Sequence, residues 1–244
     1  MAYYQESLAL VHHRAFGFHA DLCAPGILRL LEPLLDEKGL VVELGCGSGL
    51  LTRYLLDAGH RVLATDASPA MLELARAYVP DAERVEQLTL PADPIPEADA
   101  IVSIGHVLSY LSDQVAIEQA LTAAAQAVRP GGILIMDICD LEWGRARRDI
   151  PNGGWAGDEW ALVTEFSVPT PTSFIRQMAV FTLEADGSWR RSDERHENTL
   201  IDTGTIPGLL ATHGISAQVS RGFGDETLPV GLNTIVGTRS AATS

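Results

Sequence analysis

Lysine is almost missing: Lys38 is the only one in 244 residues. That excludes a phosphate-binding Gly-Lys-Ser/Thr loop, which needs its lysine against the phosphates. Schiff-base chemistry is poorly served too, because Lys38 stands in the loop ahead of the first expected strand. Cysteine is scarce. Cys23, Cys46 and Cys139 are odd in number, far apart and without C-x-x-C spacing, so reduced, buried thiols are expected rather than a disulfide framework or a zinc site. Positive charge is short as well: 17 Lys and Arg against 32 Asp and Glu leave a formal charge of -15. Nucleic-acid binding depends on cationic contact to phosphate, so no RNA or DNA partner is expected. No apolar run approaches the roughly 20 residues that cross a bilayer, and Met1 to Leu10 has no basic segment ahead of an apolar one. A cytoplasmic protein with no membrane partner is expected; nothing in the sequence speaks to oligomeric state.

What the chain has is apolar residues, 46% of the total, enough for one α/β domain with an insertion. Its organising stretch is Leu40-Val41-Val42-Glu43-Leu44-Gly45-Cys46-Gly47-Ser48-Gly49, followed by a helical pattern from Ser48 or Gly49. This reads as strand, tight loop and helix, with glycines that let a small ligand lie against the main chain. A dinucleotide fingerprint would need its third glycine three residues after the second. Position 50 is Leu.

A second strand, Arg61 to Asp66, ends in an acid 19 residues after Gly47, close to the offset of roughly 20 at which a ribose-binding carboxylate sits. Ser68 and Pro69 then provide an N-cap and first helical residue. Glu83 to Leu88 is a plausible third strand and Ala98 to His106 a fourth. A helix from Asp113 to Val128 is stopped by Arg129-Pro130-Gly131-Gly132 before a fifth strand, Ile133 to Asp137.

Taken together, these motifs resemble the class I S-adenosylmethionine-dependent methyltransferases. The E/D-x-G-x-G-x-G motif of that family fits Glu43 to Gly49 at every position, and the R/K-P-G-G turn is a second mark. The resemblance covers Leu40 to Asp137 closely and the remainder in layout. It implies a Rossmann-like, seven-stranded, mostly parallel sheet with an antiparallel last strand, in a single domain over 1–244, with S-adenosylmethionine as cofactor. It also implies cofactor-binding roles for Glu43, Gly45, Cys46, Gly47, Gly49, Asp66, Ala67, Leu88, Ser103 and Ile104. The family's usual adenine-contacting acid is absent. Gln87-Leu88-Thr89 stands there instead, leaving backbone and apolar contact, or Asp93 after a shifted alignment.

Residues 1–38 read as a helical cap, with Leu8, Val11, His12, Ala15 and Phe16 on one face and a break at Ala24-Pro25-Gly26. After Cys139 an irregular, Trp-containing segment precedes alternating strands at Ala161 to Val168, Phe174 to Leu183 and Trp189 to Leu200, with Asp186-Gly187 as a hairpin turn. This is an inserted antiparallel β flap over 141–200, of the kind that completes the acceptor pocket in small-molecule methyltransferases, the aminosugar N-methyltransferases among them. Thr203 to His213 reads as a helix, with strands at 214–219 and 233–238 closing the sheet. Tyr4, His12, Tyr110 and Trp160 are the substrate-binding candidates. His106 after the fourth strand is the first candidate base and His196, sharing a strand face with Glu194, the second. Asp137 and Asp140 have the spacing for a metal, but the fourth strand supplies no acid, so none is expected. Arg145, Arg147 and Arg148 read as a solvated basic face.

The expected function is methyl transfer to an O, N or C atom of a small molecule, in secondary metabolism. A nicotinamide-dependent oxidoreductase and a non-catalytic sensor of S-adenosylmethionine are the competing readings.

Overall fold

Alternating side chains set the layers of the main sheet, because successive residues of a strand face opposite sides. In β1 (Leu40–Leu44), Val42 and Leu44 pack with Ile117 and Leu121 of α6 (Gln114–Ala127), while Val41 packs with Ile27 of α2 (Phe18–Leu31) and Leu55 of α4 (Leu50–Asp57). β4 (Ala98–Ser103) and β5 (Val128–Cys139) divide likewise: Ile101, Leu134 and Met136 go to the first side, Val102 and Ile135 to the second. A sheet covered on both faces follows, with near-continuous apolar strands.

The computed structural model describes residues 3–241. With β2 (Arg61–Asp66), β3 (Arg84–Gln87), β10 (Ile215–Ser220) and β11 (Leu232–Arg239), the sheet order is β10-β11-β5-β4-β1-β2-β3. β1 pairs parallel to β2 and β4, whereas β11 runs antiparallel between β5 and β10. This is the expected architecture. It departs from the dinucleotide-binding order 3-2-1-4-5-6 beyond β5, where antiparallel β11 is inserted before the edge strand β10.

A second sheet, β6 (Gly153–Ala156), β7 (Trp160–Thr170), β8 (Ser173–Leu183) and β9 (Trp189–Thr199), is antiparallel throughout. Leu162, Met178 and Val180 of its inner face pack against Leu8 and Val11 of α1 (Glu6–Ala15).

Several local expectations need correction. The first helical break falls at Phe16-Gly17, and α2 runs through Pro25. Gly26 is there because a Cβ would lie 2.9 Å from the Phe223 main chain, so that glycine serves close packing. β5 begins at Val128 and is interrupted between Val128 and Ile133, so Arg129 to Gly132 form an irregularity in a longer strand. The segment read as irregular contains α7 (Leu141–Arg147) and β6. Asp140 caps α7 by accepting from Glu142 N–H, a start signal of the usual Asp kind. The helix read at Thr203 to His213 is a 3-10 turn followed by α8 (Ile206–Ala211). No helix among the described residues is long and apolar enough to cross a membrane.

A bare glycine loop and an aromatic cavity

The loop after β1 is fixed from several sides. Cys46 N–H donates to Thr65 O at 2.8 Å, and Asp66 accepts from Gly47 N–H at 2.9 Å and Ser68 N–H at 2.7 Å. Asp66 therefore ties the loop to the start of α5 (Pro69–Tyr78), where Ser68 Oγ accepts from Met71 N–H as an N-cap. Burial raises the Asp66 pKa against these amide bonds, and each carboxylate oxygen retains capacity for a further donor. Cys46 turns into a cluster with Ala64, Leu72 and Val79, leaving its backbone as the part near the loop surface.

The three loop glycines all have positive φ but face different surroundings. A Cβ on Gly45 would lie 2.3 Å from Val107 Cγ2, and one on Gly49 2.9 Å from Val79 Cγ2. On Gly47 the nearest atom is Met71 Sδ at 3.9 Å, and on Gly105, beyond β4, nothing lies within 4 Å. Gly45 and Gly49 thus answer to packing. Gly47 and Gly105 expose bare main chain at the ends of neighbouring β1 and β4, and with the Asp66 carboxylate nearby these surfaces fit an adenosyl sulfonium.

Glu43 is buried and accepts from Thr52 Oγ1 at 2.6 Å, bracing the loop against α4. Burial raises its pKa to about 7. Protons are then held more tightly in the folded chain, so the stability contribution is present at low pH and is lost as pH rises from 4.5 to about 7. Glu43→Gln should abolish about 3 kcal/mol of that slope. Urea unfolding at pH 5 and pH 8 checks this, and parallel slopes in both proteins would refute it.

Ser103 Oγ donates to Leu44 O at 2.9 Å, joining β4 to the end of β1, and Ile104 follows it. Asp137, fully buried on β5, accepts from Gly105 N–H and His106 N–H and pairs with His19 Nε2 at 2.6 Å. These bonds set the backbone that carries His106 at φ 50°. Cys23 lies one turn beyond His19, and the three potential ligand atoms of His19, Cys23 and Asp137 lie within 4.8 Å of one another. Asp140, by contrast, is committed to capping α7 and to Thr203. Leu88 is buried in the core cluster that holds Leu63 and Ile101, Ala67 is exposed beside Asp66, and Asp93 accepts from Thr89 N–H.

His106 stacks on Tyr110, with ring centroids 5.4 Å apart. Tyr110 OH is 3.1 Å from Tyr4 OH and accepts from Arg176. This leads into a cavity of about 90 Å³ between α1 and the second sheet, lined in part by Tyr4, His12, Phe16, Trp155, Phe166 and Arg176. Trp160 packs behind it with Phe16 and Leu162, so Trp155 supplies the tryptophan wall. Arg147 lies over the Trp143 ring and donates to Val230 O.

Glu194 and His196 form the pair anticipated from strand alternation, at 2.8 Å. Glu194 also accepts from Tyr4 N–H and Gln5 N–H, while Ser68 donates to Tyr4 O at 2.8 Å, so the segment before α1 is held on two sides. Burial lowers the pKa of His106 to about 3 and of His12 to about 4, with the Arg176 charge as the next cause. His196 is lowered too, mainly by burial. All three keep a buried Nδ1 without a partner.

Arg176 and Trp155 were not singled out in the sequence. The signal for Arg176 was present: Phe174, Arg176, Met178 and Val180 alternate on one face, and the charge is the odd member.

Comparison with known proteins agrees with this layout. Residues 42–134 match the family model of a methyltransferase domain. YqeM of Bacillus subtilis strain 168, which carries a methyltransferase name, is 25% identical over 203 residues, covering 80% of this chain and 81% of its own. Other curated relatives, a carboxy-S-adenosyl-L-methionine synthase and two methyltransferases among them, match over about half of their own length. Two solved structures share the fold. The SAM-bound amino pentose methyltransferase CalS10 of Micromonospora echinaspora has a TM-score of 0.72 at 18% identity, over 98% of this chain and 99% of its own. The sugar N-methyltransferase KedS8 of a Streptoalloteichus species has a TM-score of 0.78 at 17% identity, over 98% and 96%.

Proposed function

We propose that the chain is a class I S-adenosylmethionine-dependent methyltransferase, a reading supported by its methyltransferase-domain match and its relatives, and that it methylates an amine nitrogen of a small polar molecule, among the O, N and C acceptors open to such enzymes, in secondary metabolism and in the cytoplasm. S-adenosylmethionine supplies a methyl group already activated by its sulfonium. The protein must place that methyl in line with the acceptor, exclude water and receive a nucleophile with a free lone pair.

In this reading the Gly47 and Gly105 backbones, with Cys46, Ser103 and Ile104, cradle the methionyl part. Asp66 beside Ala67 accepts from the ribose hydroxyls, Leu88 borders the adenine, and Gly45, Gly49 and Glu43 hold the loop in shape. The acceptor enters the cavity bounded by Tyr4 and His12, with Tyr110 behind Tyr4 and Arg176, and Trp160 behind the opposite wall. The observation that carries this reading is the run of contacts from His106 through Tyr110 to Tyr4 and Arg176, which joins the end of β4 to that cavity.

An amine is favoured because the site lacks a strong base. His106 and His196 stay neutral but are weakly basic, and His19, the histidine with a raised pKa, spends Nε2 on Asp137. A hydroxyl acceptor gains from a base, whereas an amine needs only to arrive neutral. His12, which lines the cavity with a partnerless Nδ1, then orients the acceptor, while His106 and His196 support Tyr110 from behind. The likeness to a sugar N-methyltransferase and an amino pentose methyltransferase supports the same choice.

Incubation with labelled donor and paired amino and hydroxy sugars tests this: label should appear on the amine member alone. Label on the hydroxyl member would overturn the nitrogen assignment, and no label on any acceptor would favour a sensor. The rate should climb with pH along the acceptor's own amine ionisation, without a step near the ordinary histidine value of 6.5. Such a step would return a histidine to the role of base.

A further inference from the structure

We propose that Arg176 is the anion-binding residue of the acceptor site, so that the molecule methylated here carries a carboxylate or phosphate group against its guanidinium. This rests on the methyl-transfer reading and adds a charge requirement to it. Arg176 sits in the middle of β8, opposite Phe166 on β7 and His196 on β9, on the face that turns toward α1. It donates to Tyr110 OH, while its buried Nε has no partner.

Among the described residues no acid lies within 4.0 Å of Arg176, although Arg53, Arg61 and Arg129 all have acidic partners. Two buried carboxylates of this part of the fold are already used. Glu194, on the same sheet face, accepts from Tyr4 N–H, Gln5 N–H and His196; Asp137 accepts from Gly105, His106 and His19. Tyr110 offers no negative charge either, because burial pushes its phenol well up. A desolvated cation facing a cavity without a counter-charge is unfavourable. A planar fork of N–H donors matches an oxyanion.

Arg176 lines the cavity of about 90 Å³, a space comparable to roughly three waters in the liquid. That room suits one oxyanion attached to a body resting on aromatic walls. The lining includes no residue of the Gly45 to Gly49 loop and not Asp66, which places the anion on the acceptor and not on the donor's carboxylate. The net charge of -15 repels anions over most of the surface, so this buried guanidinium is a selective feature and not part of a general basic field.

The test uses full-length protein saturated with S-adenosylhomocysteine, titrated calorimetrically with phenyl phosphate, benzoate and uncharged benzyl alcohol. At least one anion should bind tenfold or more tighter than benzyl alcohol, and the stronger of the two identifies phosphate or carboxylate. Arg176→Met should lose that preference by tenfold or more, melt no lower than the parent and keep its affinity for S-adenosylhomocysteine. Arg176→Gln carries the same expectation if the methionine variant fails to fold. Anions binding no better than the alcohol, or binding equally to parent and variant, would overturn the proposal. Loss of S-adenosylhomocysteine affinity in the variant would also overturn it, by assigning the anion to the donor. Failure of the parent itself to bind S-adenosylhomocysteine would strike the methyl-transfer reading instead.

Discussion

Asp66→Ala should weaken S-adenosylhomocysteine binding by roughly a hundredfold, about 3 kcal/mol, the worth of one or two hydrogen bonds to a charged group. The carboxylate has two tasks. It already accepts from Gly47 N–H and Ser68 N–H, fixing the loop against the start of α5, and its remaining lone pairs are those assigned to the ribose hydroxyls. Removing it leaves two amides without their acceptor and loosens the bare surface at Gly47. Asp66→Asn keeps the shape but brings an NH2 toward one of those N–H groups, so it should fall between parent and alanine variant. Calorimetry with the product nucleotide measures both, and an alanine variant within threefold of the parent would remove Asp66 from the donor site.

The second large effect separates two glycines that look alike in the motif. Gly45→Ala should cost about 3 kcal/mol or more of stability, combining overpacking with left-handed backbone strain. The added Cβ would sit 2.3 Å from Val107 Cγ2. Gly47→Ala pays only the strain of its φ of 56°, because its Cβ direction is open. Its main loss should be in donor affinity. Adding Val107→Ala to Gly45→Ala should recover the steric part, which a double-mutant cycle in urea reads as a favourable coupling of about 1–2 kcal/mol. Additive costs would show that Val107 does not set the need for glycine.

The same two glycines show how far the sequence could be read. E-x-G-x-G-x-G announces the loop because each glycine demands positive φ, and β2 with its Ser68-Pro69 helix start is legible because capping is local. What lies against each glycine is decided elsewhere: Val107 belongs to the turn after β4, more than sixty residues on. Pro25 misled for a related reason. A proline reads as a break, yet α2 passes through it under tertiary packing of Gly26 against Phe223. β6 was not legible, since Gly153-Gly154 carries almost no side-chain pattern and joins a strand only because β7 offers its edge. The Glu194–His196 pair followed from period-two alternation. Arg176 and Trp155 meet α1 only in the folded chain, so their shared cavity has no local signature.

β9 turns Ser192, Glu194, His196 and Asn198 inward, a row with little apolar content to fix its own register. What completes it is Tyr4 N–H on Glu194, a bond between residues 190 positions apart. Closing so long a loop is entropically expensive and comes late in folding. On a ribosome the segment ahead of α1 must therefore wait for β9 to emerge before Glu194 can hold it, and the acceptor chamber stays open on that side until then.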